Sequence, residues 1–198
     1  MKTLAVTGGI GSGKSAVTAC LSGKGFPVYD CDAAAKSLYD RRPGIVDTLE
    51  LLLATPLRDP SGRLDRSRLA GLIFSDPEAR LRVESVVHPA VLEDFLGWRA
   101  RQDAPLVAFE SAIVLSLPLF DGVYDKVMLV EAPDDVRLAR AMRRDGSTEE
   151  AVRARMAAQS FDLSKVDLVL NNDGTLEVLR ARLDRALPYL FPELLLYL

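Results

Sequence analysis

Short apolar runs and longer stretches with apolar residues at three- and four-residue spacing alternate along this chain. Thr3-Leu4-Ala5-Val6-Thr7 reads as a buried strand, and Pro27-Val28-Tyr29 with Phe26 as a second. Leu106-Val107-Ala108-Phe109, Val127-Met128-Leu129-Val130 and Leu168-Val169-Leu170 read as the third, fourth and fifth. Helical patterns separate them, the first marked by Val17, Cys20 and Leu21. This alternation predicts an α/β fold, a parallel sheet flanked by helices on both faces, with ligands gathering at the carboxyl ends of its strands.

The segment from about Arg41 to Ala104 breaks the alternation, because it carries no strand signal. Its helical patterns fall around Ile45 to Leu53, Arg66 to Phe74 and Val83 to Trp98, with a turn at Asp59-Pro60-Ser61-Gly62. A helical insertion over about 41–104 is therefore expected within one domain, 1–198, whose core takes in about 1–40 and 105–198. Internal repeats, low-complexity tracts and an interdomain linker are absent from the sequence. The tail from Leu187 to Leu198 is apolar at Leu190, Phe191, Leu194, Leu195, Leu196 and Leu198, but Pro188, Pro192 and Glu193 interrupt it. Packing into the core is the expectation for it, rather than an interface.

Composition narrows the function more than the fold. At 198 residues and 48% hydrophobic content the chain can build one well-packed core. Its 25 basic and 28 acidic residues give a net charge of -3, which argues against a general nucleic-acid binder and makes any phosphate contact local. Cys20 and Cys31 with a single histidine supply neither a disulfide framework nor the repeated spacing of a structural zinc site, so a reduced, cytoplasmic setting is expected. The first residues enter a strand directly and no run of about eighteen apolar residues occurs, so neither export nor membrane spanning is expected.

Between the first strand and the first helix, Gly8-Gly9-Ile10-Gly11-Ser12-Gly13-Lys14-Ser15 matches the phosphate-loop pattern G-x-x-x-x-G-K-[ST]. Strand, glycine loop and helix are the setting in which that pattern has physical meaning. Glycines let the backbone wrap a phosphate without Cβ clashes and turn successive N–H groups inward at a positive helix N-terminus. Lys14 would then reach the β- and γ-phosphates and Ser15 would ligate Mg²⁺, so a nucleoside triphosphate is the expected ligand.

Other residues are ambiguous by themselves. Asp30-Cys31-Asp32 ends the second strand; in extended geometry its carboxylates share one side at a period of two, where one could orient or deprotonate a hydroxyl acceptor. Asp32 also precedes Ala33-Ala34-Ala35 and serves equally well as a helix N-cap. Glu110, directly after the third strand, either holds Mg²⁺ through water or caps the following segment. Arg137, Arg140 and Arg144 share a helix face that either closes over a transferring phosphoryl group or is merely solvated. His88-Pro89 lies in the insertion without a partner for a nucleophilic triad, and spacing alone marks the histidine as structural.

Taken together, these stretches resemble the dephospho-CoA kinase family over nearly the whole chain. The matching pieces are Leu4 through Ser15, Asp30-Cys31-Asp32, Gly62-Arg63-Leu64-Asp65-Arg66, Val87-His88-Pro89, Arg140 with Arg143-Arg144-Asp145, Gln159, and Asn171-Asn172-Asp173-Gly174. The resemblance implies a phosphate-loop kinase fold with a helical substrate-binding insertion and an arginine-bearing lid over about 134–160. The implied activity is a phosphotransfer to an alcohol group: ATP and Mg²⁺ would phosphorylate the ribose 3′-hydroxyl of dephospho-CoA, giving coenzyme A and ADP, the last step of coenzyme A synthesis. By the same resemblance Asp32 would be the catalytic base, assisted by Lys14 and Arg140. Gly8, Gly9, Gly11, Ser12, Gly13, Lys14, Ser15, Ala16, Arg140, Arg144 and Asn172 would bind the nucleotide, the stretch at Asn172 to Gly174 bordering the adenine. Arg66, His88 and Glu110 would join Asp32 around the acceptor. A cytoplasmic monomer or weak homo-oligomer, with no nucleic-acid or membrane partner, completes the expectation.

Two positions depart from the family pattern. Ala16 stands where threonine is common, keeping the backbone N–H but losing a hydroxyl donor worth about 1 kcal/mol if it bonded. The glutamate that usually follows the third strand's apolar run has no counterpart in Val114-Leu115-Ser116-Leu117, and its role is unassigned. Three other readings stay open at this point. A kinase for another small hydroxyl acceptor, such as a nucleoside, would share the loop. A GTP-dependent switch would use Asp59-Pro60-Ser61-Gly62 as D-x-x-G, but the guanine-reading N-K-x-D is absent. A nucleotide-binding module that has lost catalysis is the third.

Overall fold

Residues 1–196 are described in a computed structural model of the chain, with side chains through Leu195. Contacts divide the chain into two compact units, one of residues 1–30 with 102–198 and one of residues 31–101.

The first unit holds the sheet. Its strands are β1 (Lys2–Gly8), β2 (Val28–Asp30), β3 (Leu106–Glu110), β4 (Lys126–Glu131) and β5 (Leu168–Asn171). They lie in the order β2-β3-β1-β4-β5, and every pairing is parallel. Strands buried on both faces need continuous apolar sequence, and β1, β3 and β4 show it, with nearly every residue inaccessible. The expected strand positions therefore hold to within two residues at either end. β1 is central, so the loop that follows it opens at the middle of the carboxyl edge, between β3 and β4.

Helices α1 (Lys14–Gly23) and α8 (Leu176–Leu190) pack against the sheet and each other through one core that includes Leu4, Val17, Leu21, Met128, Leu183 and Leu187. The apolar tail joins it through Leu187, Leu190, Phe191 and Leu194, whereas Leu195 stands exposed. The Leu196 side chain and Leu198 fall outside the described residues. A smaller cluster of Leu138, Ala141 and Val152 joins α6 (Asp134–Asp145) to α7 (Glu149–Ala157).

The second unit contains α2 (Cys31–Arg41), α3 (Pro43–Leu53), α4 (Arg66–Ser75) and α5 (Pro77–Arg99). The other three helices all pack on α5, which buries Ala79, Val83, Val87, Val91 and Phe95 at every fourth position. Asp76 caps α5 by accepting from Glu78 N–H at 2.8 Å, and Pro77 occupies the first turn, where its missing N–H costs nothing. Arg41 makes a two-pronged pair with Asp94, 2.9 and 3.0 Å, tying α2 to α5. The Asp59 turn closes on its own carboxylate, which accepts from Ser61 N–H at 2.9 Å and Arg63 N–H at 3.0 Å.

This unit begins at Cys31 and so takes in α2, before the expected boundary near 41. The same boundary corrects the geometry expected of Asp30-Cys31-Asp32. β2 stops at Asp30 and α2 starts at Cys31, so Asp32 lies in the first turn of a helix and shares no strand period with Asp30. The alanines at 33 to 35 favour helix strongly, and Ala34 and Leu38 have a core to enter, which ends the extended backbone early.

Candidate active site

The carboxyl end of β1 delivers the glycine loop to the middle of the sheet edge. Gly11 and Gly13 adopt φ of 74° and 94°, backbone conformations that side chains resist. A Cβ on Gly11 would overlap the backbone of Arg137, and one on Gly13 would overlap Asn172 Nδ2, so space as well as torsion requires glycine at both. Gly13 is also the N-cap of α1 and brings no side chain to its N–H groups, which leaves that end open to an anion.

The loop is supported from below. Asn172 is buried, and its Nδ2 donates to Ser12 O at 2.8 Å while its N–H donates to Glu131 O at 2.7 Å. Arg140 Nη1 donates to Asn172 O at 3.0 Å. Asn172 thus meets the nucleotide loop through the loop's own backbone. Lys14 folds back over the loop, its Nζ donating to Gly8 O at 3.0 Å and Gly9 O at 3.4 Å.

Glu110, at the end of β3, accepts from Ser15 Oγ and from Thr18 Oγ1, both at 3.1 Å. Burial pushes its carboxyl above the ordinary range; the Lys14 charge and the two hydroxyls oppose that shift, and the Asp30 carboxylate adds to it. Thr18 was not among the residues expected here. Its signal is the three-residue spacing from Ser15, which puts both hydroxyls on one face of α1.

Arg137, Arg140 and Arg144 of α6 do not share one task. Arg137 Nε donates to Ile10 O at 3.1 Å, Arg140 reaches Asn172, and Arg144 turns to Asp145 at 2.6 Å. Arg144, with Arg155 of α7, holds the Asp145 carboxyl down to about 2. Gln159 is a further loop contact, its Oε1 accepting from Ile10 N–H at 2.8 Å.

In the second unit Arg66 Nη2 donates to Lys36 O and Asp40 Oδ2, each at 2.9 Å, and Asp32 is exposed at the start of α2. His88 is half-buried in α5; burial pushes its imidazole below the usual value, Glu84 opposing and Arg80 reinforcing. The Val114–Ser116 segment is a single 3₁₀ turn without a carboxylate, Ser116 Oγ donating to Ile113 O at 2.9 Å. Among the described residues, no group of three His, Cys, Asp or Glu side chains could hold a metal.

A glycine cradle on the central strand, with its lysine and its serine paired to a carboxylate, indicates phosphoryl transfer but not the acceptor. The dephospho-CoA kinase family model matches residues 2–177, which include every one of these groups. The chain belongs to the dephospho-CoA kinase family. It is 43% identical over 164 residues to the dephospho-CoA kinase of Porphyromonas gingivalis, covering 83% of this chain and 80% of that one. To the Thermus thermophilus dephospho-CoA kinase it is 39% identical over 194 residues, 96% of this chain and 91% of the relative. A Thermus thermophilus crystal structure superposes with a TM-score of 0.80 at 38% identity, covering 98% of this chain and 97% of the other. A shikimate kinase from Acinetobacter baumannii, TM-score 0.56 at 13% identity over 98% and 96% of the two chains, shares the fold alone. Dephospho-CoA kinases catalyse the final, ATP-dependent step of coenzyme A synthesis, and this chain is a kinase of that family. The expected parallel-sheet kinase fold is thereby met.

Proposed function

We propose that this chain transfers the γ-phosphoryl group of ATP to the ribose 3′-hydroxyl of dephospho-CoA, releasing coenzyme A and ADP. The observation that carries the reading is the loop itself: an open α1 N-terminus, glycines at 11 and 13 where a Cβ would overlap Arg137 and Asn172, and Lys14 held over the loop's own carbonyls. It operates in a chain whose family match spans 2–177.

In this reading Gly8, Gly9, Gly11, Ser12, Gly13, Lys14, Ser15 and Ala16 bind the triphosphate, and the N–H groups at the start of α1 offset its charge. Lys14 and Arg140 stabilise the charge that builds on the phosphoryl oxygens, with Arg144 on the same helix and Asn172 shaping the loop from beneath. Asp32 accepts the proton of the 3′-hydroxyl as its oxygen bonds to phosphorus and the bond to ADP breaks. Arg66 and His88 bind the acceptor, together with Glu110. Ser15, and Glu110 through water, are the residues that would hold Mg²⁺, which would supply positive charge to offset that of the triphosphate. The paired hydroxyl and carboxylate suit that ion, which takes few protein ligands and keeps its waters.

The surroundings we propose are a cytoplasmic monomer or weak homo-oligomer without nucleic-acid partners. A net charge of -3 and two buried cysteines that form no disulfide support this, and no helix among the described residues is long and apolar enough to cross a membrane. The test is ADP formation with Mg²⁺ and ATP, with and without dephospho-CoA, and identification of the product by mass. Acceptor-dependent turnover with coenzyme A as product is expected; ATP binding with no response to dephospho-CoA would remove the proposed acceptor.

A further inference from the structure

One residue of the phosphate loop is held on three sides by the α6–α7 hairpin. Ile10 N–H donates to Gln159 Oε1 at 2.8 Å, and Ile10 O accepts from Arg137 Nε at 3.1 Å. The Ile10 side chain packs with Met142 and Met156 on the cluster of Leu138, Ala141 and Val152 that joins the two helices. Arg137 lies on α6, and Gln159 follows the end of α7. A side chain left to solvent would not look like Arg137, which is only 17% exposed although charged.

The two halves of the loop have different anchors. Ser12 and Gly13 rest on Asn172, beyond β5, whereas Gly9, Ile10 and Gly11 rest on the hairpin. Lys14 Nζ bonds the carbonyls of Gly8 and Gly9, immediately before the hairpin-held peptide. Whatever fixes residues 9 to 11 therefore fixes the seat of the lysine ammonium.

We infer that Ile10, Arg137 and Gln159 form a latch through which the α6–α7 hairpin sets the shape of residues 9–11 and the place of the Lys14 ammonium. Arg137 and Gln159 are positioning residues for phosphoryl transfer, not phosphate ligands. The inference rests on the loop being the nucleotide site. Because the α1 end of the loop has its own anchor, the latch affects turnover more than nucleotide binding.

Gln159→Met keeps the length of the side chain and removes the acceptor; Gln159→Glu keeps the acceptor. Gln159→Met is expected to lower kcat about tenfold or more while the Kd for ATP, measured by calorimetry, moves less than about threefold; Gln159→Glu restores kcat to within about threefold of the parent. Exchange of the Ile10 amide hydrogen reads the same latch without turnover, and should be about tenfold or more faster in Gln159→Met than in Gln159→Glu. A Cβ on Gly9 would overlap Arg137 Nη2, the free end of that side chain, so Gly9→Ala should displace the guanidinium. Gly9→Ala and Arg137→Ala are then non-additive in kcat, the double variant being no slower than the slower single one. An unchanged kcat in Gln159→Met, equal losses in Gln159→Met and Gln159→Glu, or an additive cycle would each overturn the latch. A parent protein that binds no ATP would instead overturn the function on which the latch rests.

Discussion

His88 is the only histidine of the chain, so its titration can be read without overlap from another imidazole. Burial lowers its pKa, with Glu84 the main opposing charge. A folded-state pKa below the unfolded one means that the stability it contributes is complete above the unfolded value, about 6.5, and is lost as pH falls through the folded value. Its imidazole resonances should titrate below 6.5 in an NMR pH series, and the parent should lose stability relative to His88→Gln as the pH falls below about 6.5. A midpoint at or above the free value would show that burial does not govern this side chain. Asp32 supports a prediction about chemistry instead. Exposed in the first turn of α2, it bears no core packing, so Asp32→Asn should leave folding intact. As the proposed base it should lower kcat about a hundredfold or more with ATP affinity nearly unchanged, compared by a coupled ADP assay and calorimetry. Equal losses in both would remove it from that role.

At the scale of elements, α5 is the scaffold of the second unit, and its start is set by three groups: the Asp76 carboxylate, the Glu78 N–H and the ring of Pro77. Asp76→Ala should cost about 1 kcal/mol, measured as a shift of the urea midpoint followed by far-ultraviolet circular dichroism. No shift would mean that packing by the buried stripe from Ala79 to Phe95 fixes the helix start without its cap. That stripe, the strands and the glycine loop were legible in the sequence because each is a local pattern whose period matches the element it forms. Of the two placements open to Asp32, strand period failed and the helix start came within a turn, because the adjacent alanines and the buried Ala34 and Leu38 carried the backbone into helix. The arginine face of α6 was legible as a face, but not its division of labour: a helical period cannot show that Arg137 ends on Ile10 and Arg144 on Asp145. Gln159 meets Ile10 from 149 residues away, and no spacing rule connects two positions that far apart.

For the whole molecule, the sheet-bearing unit offers a stability test of the nucleotide site that needs no acceptor. The loop joins the central strand to α1, and both enter the main core through Leu4, Val6, Val17 and Leu21. An anion held at the start of α1 therefore ties ligand binding to the folding of that core. A ligand that binds only the folded state stabilises it by RT ln(1 + [L]/Kd), about 2.7 kcal/mol at a hundredfold excess over Kd. ATP with Mg²⁺ at that excess should raise the thermal transition by an amount that grows with the logarithm of nucleotide concentration. Lys14→Ala removes the ammonium that rests on Gly8 and Gly9 while leaving the buried residues of α1 untouched, so its own transition without ligand should stay near that of the parent. The nucleotide-dependent increment should nevertheless fall sharply. If Lys14→Ala kept the full increment, the triphosphate would be bound through groups other than this loop, and the central assignment of the molecule would have to move with it.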